Sequence, residues 1–311
     1  MKLSLVLDRL LAYFDDARYL SSKVYEEEII KRYHHEVSVE YPSIFVVSLS
    51  YPKRLVKHQG DSFISSNYTF GLDYHIALKK RMQEAMSSIP LEYKMYVDNH
   101  PLDERLAAEL SGIGYLGKNQ LIIRKNAGTY HFLGLLVINQ VFENHPRSLI
   151  TDTCGTCTKC IDACPGKALS EDGYIRDHCI SSYNQEKRVL SIDEISKNYL
   201  LFGCDICQLV CPKNKDLQEV SHHDFDISGK EYVHLSDLVN LSSKQFEEKY
   251  HSMAYLWKGK NLLLRNAVTL LHNQKAVNQL DLLKSLLHKD YPEYLKDTIR
   301  KTIDRFEIII K

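Results

Sequence analysis

Seven cysteines fall in two runs, and their spacing restricts residues 151–215 more than any other feature of the chain. "CGTCTKCIDACP", Cys154 to Pro165, carries four in the pattern C-x2-C-x2-C-x3-C. "GCDICQLVCP", Gly203 to Pro212, carries three in the pattern C-x2-C-x3-C. Both runs close on Cys-Pro, and the eighth cysteine, Cys179, stands alone between them.

The first run has the spacing of bacterial ferredoxins. There, three close thiolates hold three irons of one cubane, and a fourth, placed before proline, ligates a different cluster. Thiolates suit this work because they are soft, anionic donors. Two cubanes need eight ligands, and the runs supply seven; Cys179 completes the set. Exchange of the ferredoxin kind gives Cys154, Cys157, Cys160 and Cys211 to one cluster and Cys164, Cys179, Cys204 and Cys207 to the other. A zinc ribbon also uses C-x2-C pairs, but it takes four ligands per ion and has no use for two C-x3-C-P endings. A disulfide framework is disfavoured in a chain of 311 residues with no export signal.

Around this segment the chain reads as α/β. Forty basic and forty acidic residues cancel, so a nucleic-acid partner must be met by a local basic surface. "MKLSLVLDRLLAYF" places Leu3, Val6, Leu10 and Phe14 at helical spacing. Asp8 and Arg9 interrupt it, so it reads as an amphipathic helix and not as a signal peptide. No stretch approaches the roughly 18 apolar residues of a membrane span. These features lead us to expect a cytoplasmic, monomeric protein without a membrane partner.

Residues 1–150 form a mixed α/β domain in this reading. Its strands are "SIFVVSLS", closed by Pro52, and "YKMYVD", together with two strands around the turn Asn126-Ala127-Gly128. Its helices are "DYHIALKKRMQEAM", with Ile76, Met82 and Met86 on or near one face, and "PLDERLAAELS", opened by Pro101. Residues 151–220 are the ferredoxin-like domain. Residues 221–311 have the periodicity of a helical, HEAT-like array, with Pro292 separating two helices.

"GIGYLG", Gly112 to Gly117, matches the dinucleotide fingerprint letter for letter. A helix precedes it and a strand follows, the reverse of what phosphate binding at a helix N-terminus requires. Its glycines therefore end a helix and let the backbone lie close to something bulky.

Several motifs occur in order: "YTFGLDYH", "VDNHPLDER", "GIGYLGKNQLII", "GTYHFLG", the first cysteine run, "CISSYNQE", the run "GCDICQLVCP" and "KGKNLLLRNA". Together they resemble the epoxyqueuosine reductases over nearly the whole chain. The resemblance implies reduction of epoxyqueuosine to queuosine at the wobble position of tRNA. It also implies a base-off cobalamin held by the N-terminal domain and reduced through two 4Fe-4S clusters, and an electron donor the sequence does not identify. The acid that protonates the epoxide oxygen falls, by alignment on Arg105, at Glu104, with Asp103 beside it as the alternative. A carboxyl against an apolar corrin face should have a raised pKa. Read without the resemblance, Asp98, Asp103 and Glu104 are capping residues at a helix start.

The resemblance further implies cofactor contacts from Asn67, Asp98, Glu104, Gly114, Lys118, Asn119, Gly128, Thr129, Tyr130, Ser182 and Gln185. Asn67 stands where the family often has an arginine. None of the fourteen histidines falls in a motif that compels a cobalt ligand, and His222–His223 reads as a solvated loop. For tRNA the candidates are Lys258, Lys260 and Arg265, with Trp257 for stacking; such phosphate contacts give affinity and registration without reading sequence. A reductive dehalogenase-like enzyme acting on a small molecule is the alternative, and it has no need of basic C-terminal helices.

Overall fold

The computed structural model describes all residues except 56, 59–60, 144–147 and 218–221. The chain divides into two compact units that interleave along the sequence. The first comprises Met1–Lys53, Tyr74–Cys160 and Gln208–Asp224; the second comprises Arg54–Asp73, Ile161–Cys207 and Phe225–Lys311.

The first unit is built on a four-stranded antiparallel sheet. Its strands lie in the order Asp16–Ser21, Ser43–Ser50, His131–Ile138, Tyr93–Tyr96. The two central strands pair from Ser43 opposite Ile138 to Ser50 opposite His131. Every residue of Ser43–Ser50 is buried, which is why this strand is a continuous apolar run instead of an alternating one. One face packs Ile44, Val46, Leu135 and Val137 against Tyr25, Ile29, Leu106 and Leu110. Those partners come from the helices Ser22–Tyr33 and Glu104–Ser111.

Three expectations need adjustment here. The first helix ends at Leu11, so the buried Phe14 lies beyond it. Ile76 of the helix Tyr74–Met86 is exposed, whereas Met82 and Met86 are buried. The strands flanking Asn126-Ala127-Gly128 belong to different sheets: Ile122–Ile123 pairs with Tyr115–Leu116, and His131–Ile138 joins the main sheet.

The second unit is mainly helical. The antiparallel pair Ser62–Ile64 and Tyr232–His234 sets Phe63 and Val233 into a core with Leu238, Phe246, Leu264, Val268, Leu295, Ile299 and Phe306. The helix Lys260–Gln274 runs through that core and is buried at twelve of its fifteen positions. Pro292 caps Glu293–Ile310 and separates it from Leu280–Leu286, where its fixed φ is compatible with a helix start. Among the described residues no helix is long and apolar enough to cross a membrane.

Candidate functional site

All eight cysteines are free thiols, and all are partly exposed. The first unit contains Cys154, Cys157, Cys160 and Cys211, and the second contains Cys164, Cys179, Cys204 and Cys207. Electrostatics pairs them the same way. Burial raises the Cys154 thiol above its ordinary value, the Lys118 backbone N–H opposes that, and Cys211 is near enough to raise it further. Burial pushes the Cys204 thiol up to about 12; hydrogen bonds from Tyr199 and the Ile206 backbone oppose this, while Asp205 and Cys179 add to it. Thiols that hinder one another's ionisation become thiolates when a multivalent cation binds among them, so this donor set fits an iron–sulfur core. Among the described residues no group of three or more His, Cys, Asp or Glu forms a single-ion site.

Each quartet is fastened by buried amides. In the first unit Asn214 Oδ1 accepts from the Thr129 backbone N–H at 2.8 Å, and its Nδ2 donates to Thr129 Oγ1 at 2.9 Å. Gln208 Nε2 donates to the Thr129 carbonyl and hydroxyl, both at 3.0 Å. Gln208 and Asn214 bracket Cys211, so the remote cysteine is tied to the strand-entry turn of the α/β sheet. In the second unit Asn184 Nδ2 donates to the Gly203 carbonyl at 2.9 Å and its Oδ1 accepts from the Gly203 N–H at 3.2 Å. That bidentate pair joins the helix after Cys179 to the residue before Cys204.

The carboxylates divide their roles by geometry. Asp103, not Pro101, starts the helix Glu104–Ser111: its Oδ1 accepts from the N–H groups of Arg105 at 2.9 Å and Leu106 at 3.1 Å. Glu104 turns away from the cap. Its Oε1 accepts from the Asp98 backbone N–H at 3.0 Å and lies 2.9 Å from His100 Nε2. The Leu102 N–H donates to His100 Nδ1 at 3.2 Å, so Nδ1 is an acceptor and the ring proton sits on Nε2, pointing at Glu104. Oε2 is left as the oxygen able to carry a proton. The Glu104 side chain is 13% exposed, and its carboxyl is raised above the ordinary range by burial first and by Asp98 next, against the pull of His100. Asp98 and Asn99, both at positive φ, make the turn that brings these groups together. Tyr74 bonds Asp98 and stacks on Phe132 at 4.4 Å, giving this corner an aromatic wall.

Residues 153–214 match the family described as the 4Fe-4S double cluster binding domain. An epoxyqueuosine reductase of Lactococcus garvieae (strain Lg2) is 30% identical over 324 residues, covering 94% of this chain and 90% of that one. The epoxyqueuosine reductase of Bacillus anthracis is 35% identical over 270 residues, covering 82% and 70%. The chain belongs to the epoxyqueuosine reductase family. It is therefore an oxidoreductase with a double-cluster domain in a mixed α/β and helical fold. The crystal structure of an epoxyqueuosine reductase with an epoxyqueuosine-modified tRNA-Tyr stem loop superposes with a TM-score of 0.85 at 27% identity, covering 97% of this chain and 89% of that one.

Several residues expected to touch cofactor in an epoxyqueuosine reductase make contacts within the chain. A Cβ at Gly128, where φ is +55°, would stand 1.9 Å from Asn214 Oδ1, so Gly128 and Thr129 serve the Cys211 fastening. A Cβ at Gly114 would meet the Ile123 carbonyl at 2.5 Å, and one at Gly112 the Ser148 carbonyl at 2.4 Å; these glycines lie close against the chain itself. Ser182 accepts from Arg176 at 3.4 Å, and Gln185 donates to the Ser181 carbonyl at 2.7 Å. Tyr130 is buried, edge-on to Tyr51. Asn119 is buried with its Nδ2 unpartnered, and Asn67 is buried with its Oδ1 unpartnered.

Two tRNA expectations are corrected. Arg265 is wholly buried, with its guanidinium spent on Asn266 Oδ1 and on the carbonyls of Arg188 and Asn184. Lys260 is buried and donates to the Leu241 carbonyl. Both cations are engaged by acceptors of the chain itself. Lys258 stays nearer the surface, 3.7 Å over the exposed ring of Trp257. The fastening residues Asn184, Gln208 and Asn214 escaped the sequence reading, because Asn184 and Asn214 stand among other polar residues and Gln208 lies inside the second run with nothing to mark its distant partner. His222 pairs with Asp15 at 2.9 Å instead of standing in solvent.

Proposed function

We propose that this chain reduces epoxyqueuosine to queuosine in the anticodon loop of tRNA, in the cytoplasm, using two 4Fe-4S clusters and cobalamin. The division of the cysteines into four and four carries the reading, because each compact unit then contains one complete ligand set. Cys154, Cys157, Cys160 and Cys211 hold one cluster, and Cys164, Cys179, Cys204 and Cys207 hold the other. When bound, the clusters supply single electrons and cobalamin supplies a cobalt centre nucleophilic enough to open an epoxide.

The chain's own part is to position the nucleoside and manage protons. Glu104 holds a proton on Oε2 and gives it to the epoxide oxygen as the ring opens, which avoids a free alkoxide. His100 and the Asp98 N–H keep Oε1 engaged, so the acid presents one oxygen only. Burial first, and Asp98 beside it next, disfavour ionisation of Glu104 and so favour the protonated acid against the pull of His100. Overall the epoxide takes up two electrons, which the clusters would relay one at a time, and two protons, one of them from Glu104; its oxygen departs as water and the alkene of queuosine remains. Asn119, with an unpaired amide hydrogen in a buried place, is the best supported cofactor contact of the first unit.

Residues 1–150 would carry the cofactor and acid, 151–220 the clusters, and 221–311 the tRNA-contacting array. In the second unit the Lys258 ammonium is disfavoured by burial first and then by nearby Lys187 and Arg176, against Glu186, and it lies beside the exposed Trp257, a surface suited to phosphate contacts. Recognition of a splayed loop nucleoside fits RNA-binding practice. The test is to incubate the anaerobically reconstituted protein with reductant, cobalamin and tRNA carrying epoxyqueuosine, and to analyse the nucleosides. Queuosine is expected; unchanged epoxyqueuosine beside a demonstrably reduced corrin rejects the function.

A further inference from the structure

We propose that Tyr199 sets the reduction potential of the cluster held by Cys164, Cys179, Cys204 and Cys207, by donating its phenolic proton as a hydrogen bond to the Cys204 sulfur. The inference rests on the two-cluster reading above and adds a residue that reading does not use.

The Tyr199 hydroxyl lies 3.5 Å from Cys204 Sγ. The Asp205 backbone N–H donates to the same phenolic oxygen at 2.7 Å. An oxygen already accepting from an amide keeps its own proton free, and the sulfur is the acceptor within reach. The backbone of this tyrosine is fixed as well. Ile64 N–H donates to His58 Nδ1 at 3.1 Å, so the ring proton of His58 is on Nε2, which lies 3.0 Å from the Tyr199 carbonyl. Next to the cysteine, the Asp205 carboxylate accepts from the Ser66 hydroxyl and from the Asn67 N–H, the latter at 2.9 Å. Both Tyr199 and the residue after Cys204 are therefore held by one segment, Arg54–Asp73, of the same unit.

A cysteine sulfur gains negative charge when its cluster takes up an electron. A hydrogen bond to that sulfur strengthens with the charge, so it stabilises the reduced state more than the oxidised one and raises the potential. No bond breaks in this step. One electron enters the cluster, and the proton stays on the tyrosine oxygen. Tyr199 is a positioning residue, and a potential is the quantity it moves.

The experiment is an EPR-monitored redox titration of the full chain, reconstituted anaerobically with iron and sulfide, beside Tyr199→Phe. One of two midpoints should fall by about 59 mV, a tenfold change in a one-electron equilibrium, while the other midpoint and the iron content stay unchanged. Two unchanged midpoints, or an equal fall in both, would overturn the assignment. If Tyr199→Phe fails to retain iron, the wild-type protein decides. Resonance Raman spectra in water and deuterium oxide should differ in an iron–cysteine stretch, and identical spectra overturn the inference. A wild-type chain binding only about four irons is a separate failure, of the two-cluster reading itself.

Discussion

The two cysteine quartets obey one arithmetic but are fastened differently. In the first unit three of the cysteines are close neighbours in sequence, and the remote Cys211 is secured by Gln208 and Asn214 gripping a single threonine, Thr129. In the second unit the cysteines come from three places, and Asn184 couples two of those places by clasping both backbone groups of Gly203. Arg265 and Asn266 then fix the Asn184 carbonyl from the helical core. The first quartet thus depends on the α/β sheet, and the second on the helical array. The hydrogen bonds around each quartet come from its own unit.

The sharpest break of that comparison is Cys179→Ala. Iron should fall from about eight to about four per chain, with activity lost and the first quartet's signal retained. Loss of all iron would mean that the quartets are not separately held. Glu104→Gln should come next, lowering turnover about 10²–10⁴-fold with iron content unchanged. Its pH dependence has a definite sign. The raised carboxyl is protonated at low pH, so turnover should fall as pH rises through its pKa. The stability gained by holding that proton is lost over the same rise, so Glu104→Gln should be the more stable protein at alkaline pH, as thermal melts would reveal.

Asn214→Ala and Asn184→Ala each leave buried partners unsatisfied and should cost about 1–3 kcal/mol. The first should loosen only the quartet of Cys211, and the second only that of Cys179, measured as iron released to a chelator over time. Equal release from both quartets in either variant would show that the fastenings are shared. His100→Ala removes a hydrogen bond that lowers the Glu104 carboxyl, so the alkaline limb of the rate profile should move to higher pH. The smallest effect is expected at the surface. Lys258→Ala should weaken tRNA binding modestly and reduce its salt slope by about one.

What the sequence made legible was local. Cysteine spacing, the buried run Ser43–Ser50 and the helix break at Pro292 follow from contacts a few residues long. Arg265 and Lys260 misled because a lysine and an arginine on a helix look like a solvated face. Their acceptors, the carbonyls of Arg188, Asn184 and Leu241, are distant in sequence and carry no side-chain signature. The contacts of Gly128 and Thr129 with Asn214 were hidden for the same reason, since Asn214 lies far along the chain. Asp103 and Glu104 were adjacent acids until capping hydrogen bonds engaged one of them.

The bare backbone at position 128 links sheet geometry to metal content. An alanine there would collide with the amide that secures Cys211, so one added methyl group, far from any thiol in sequence, should bleach part of the protein's brown colour before it dulls any fold-sensitive signal.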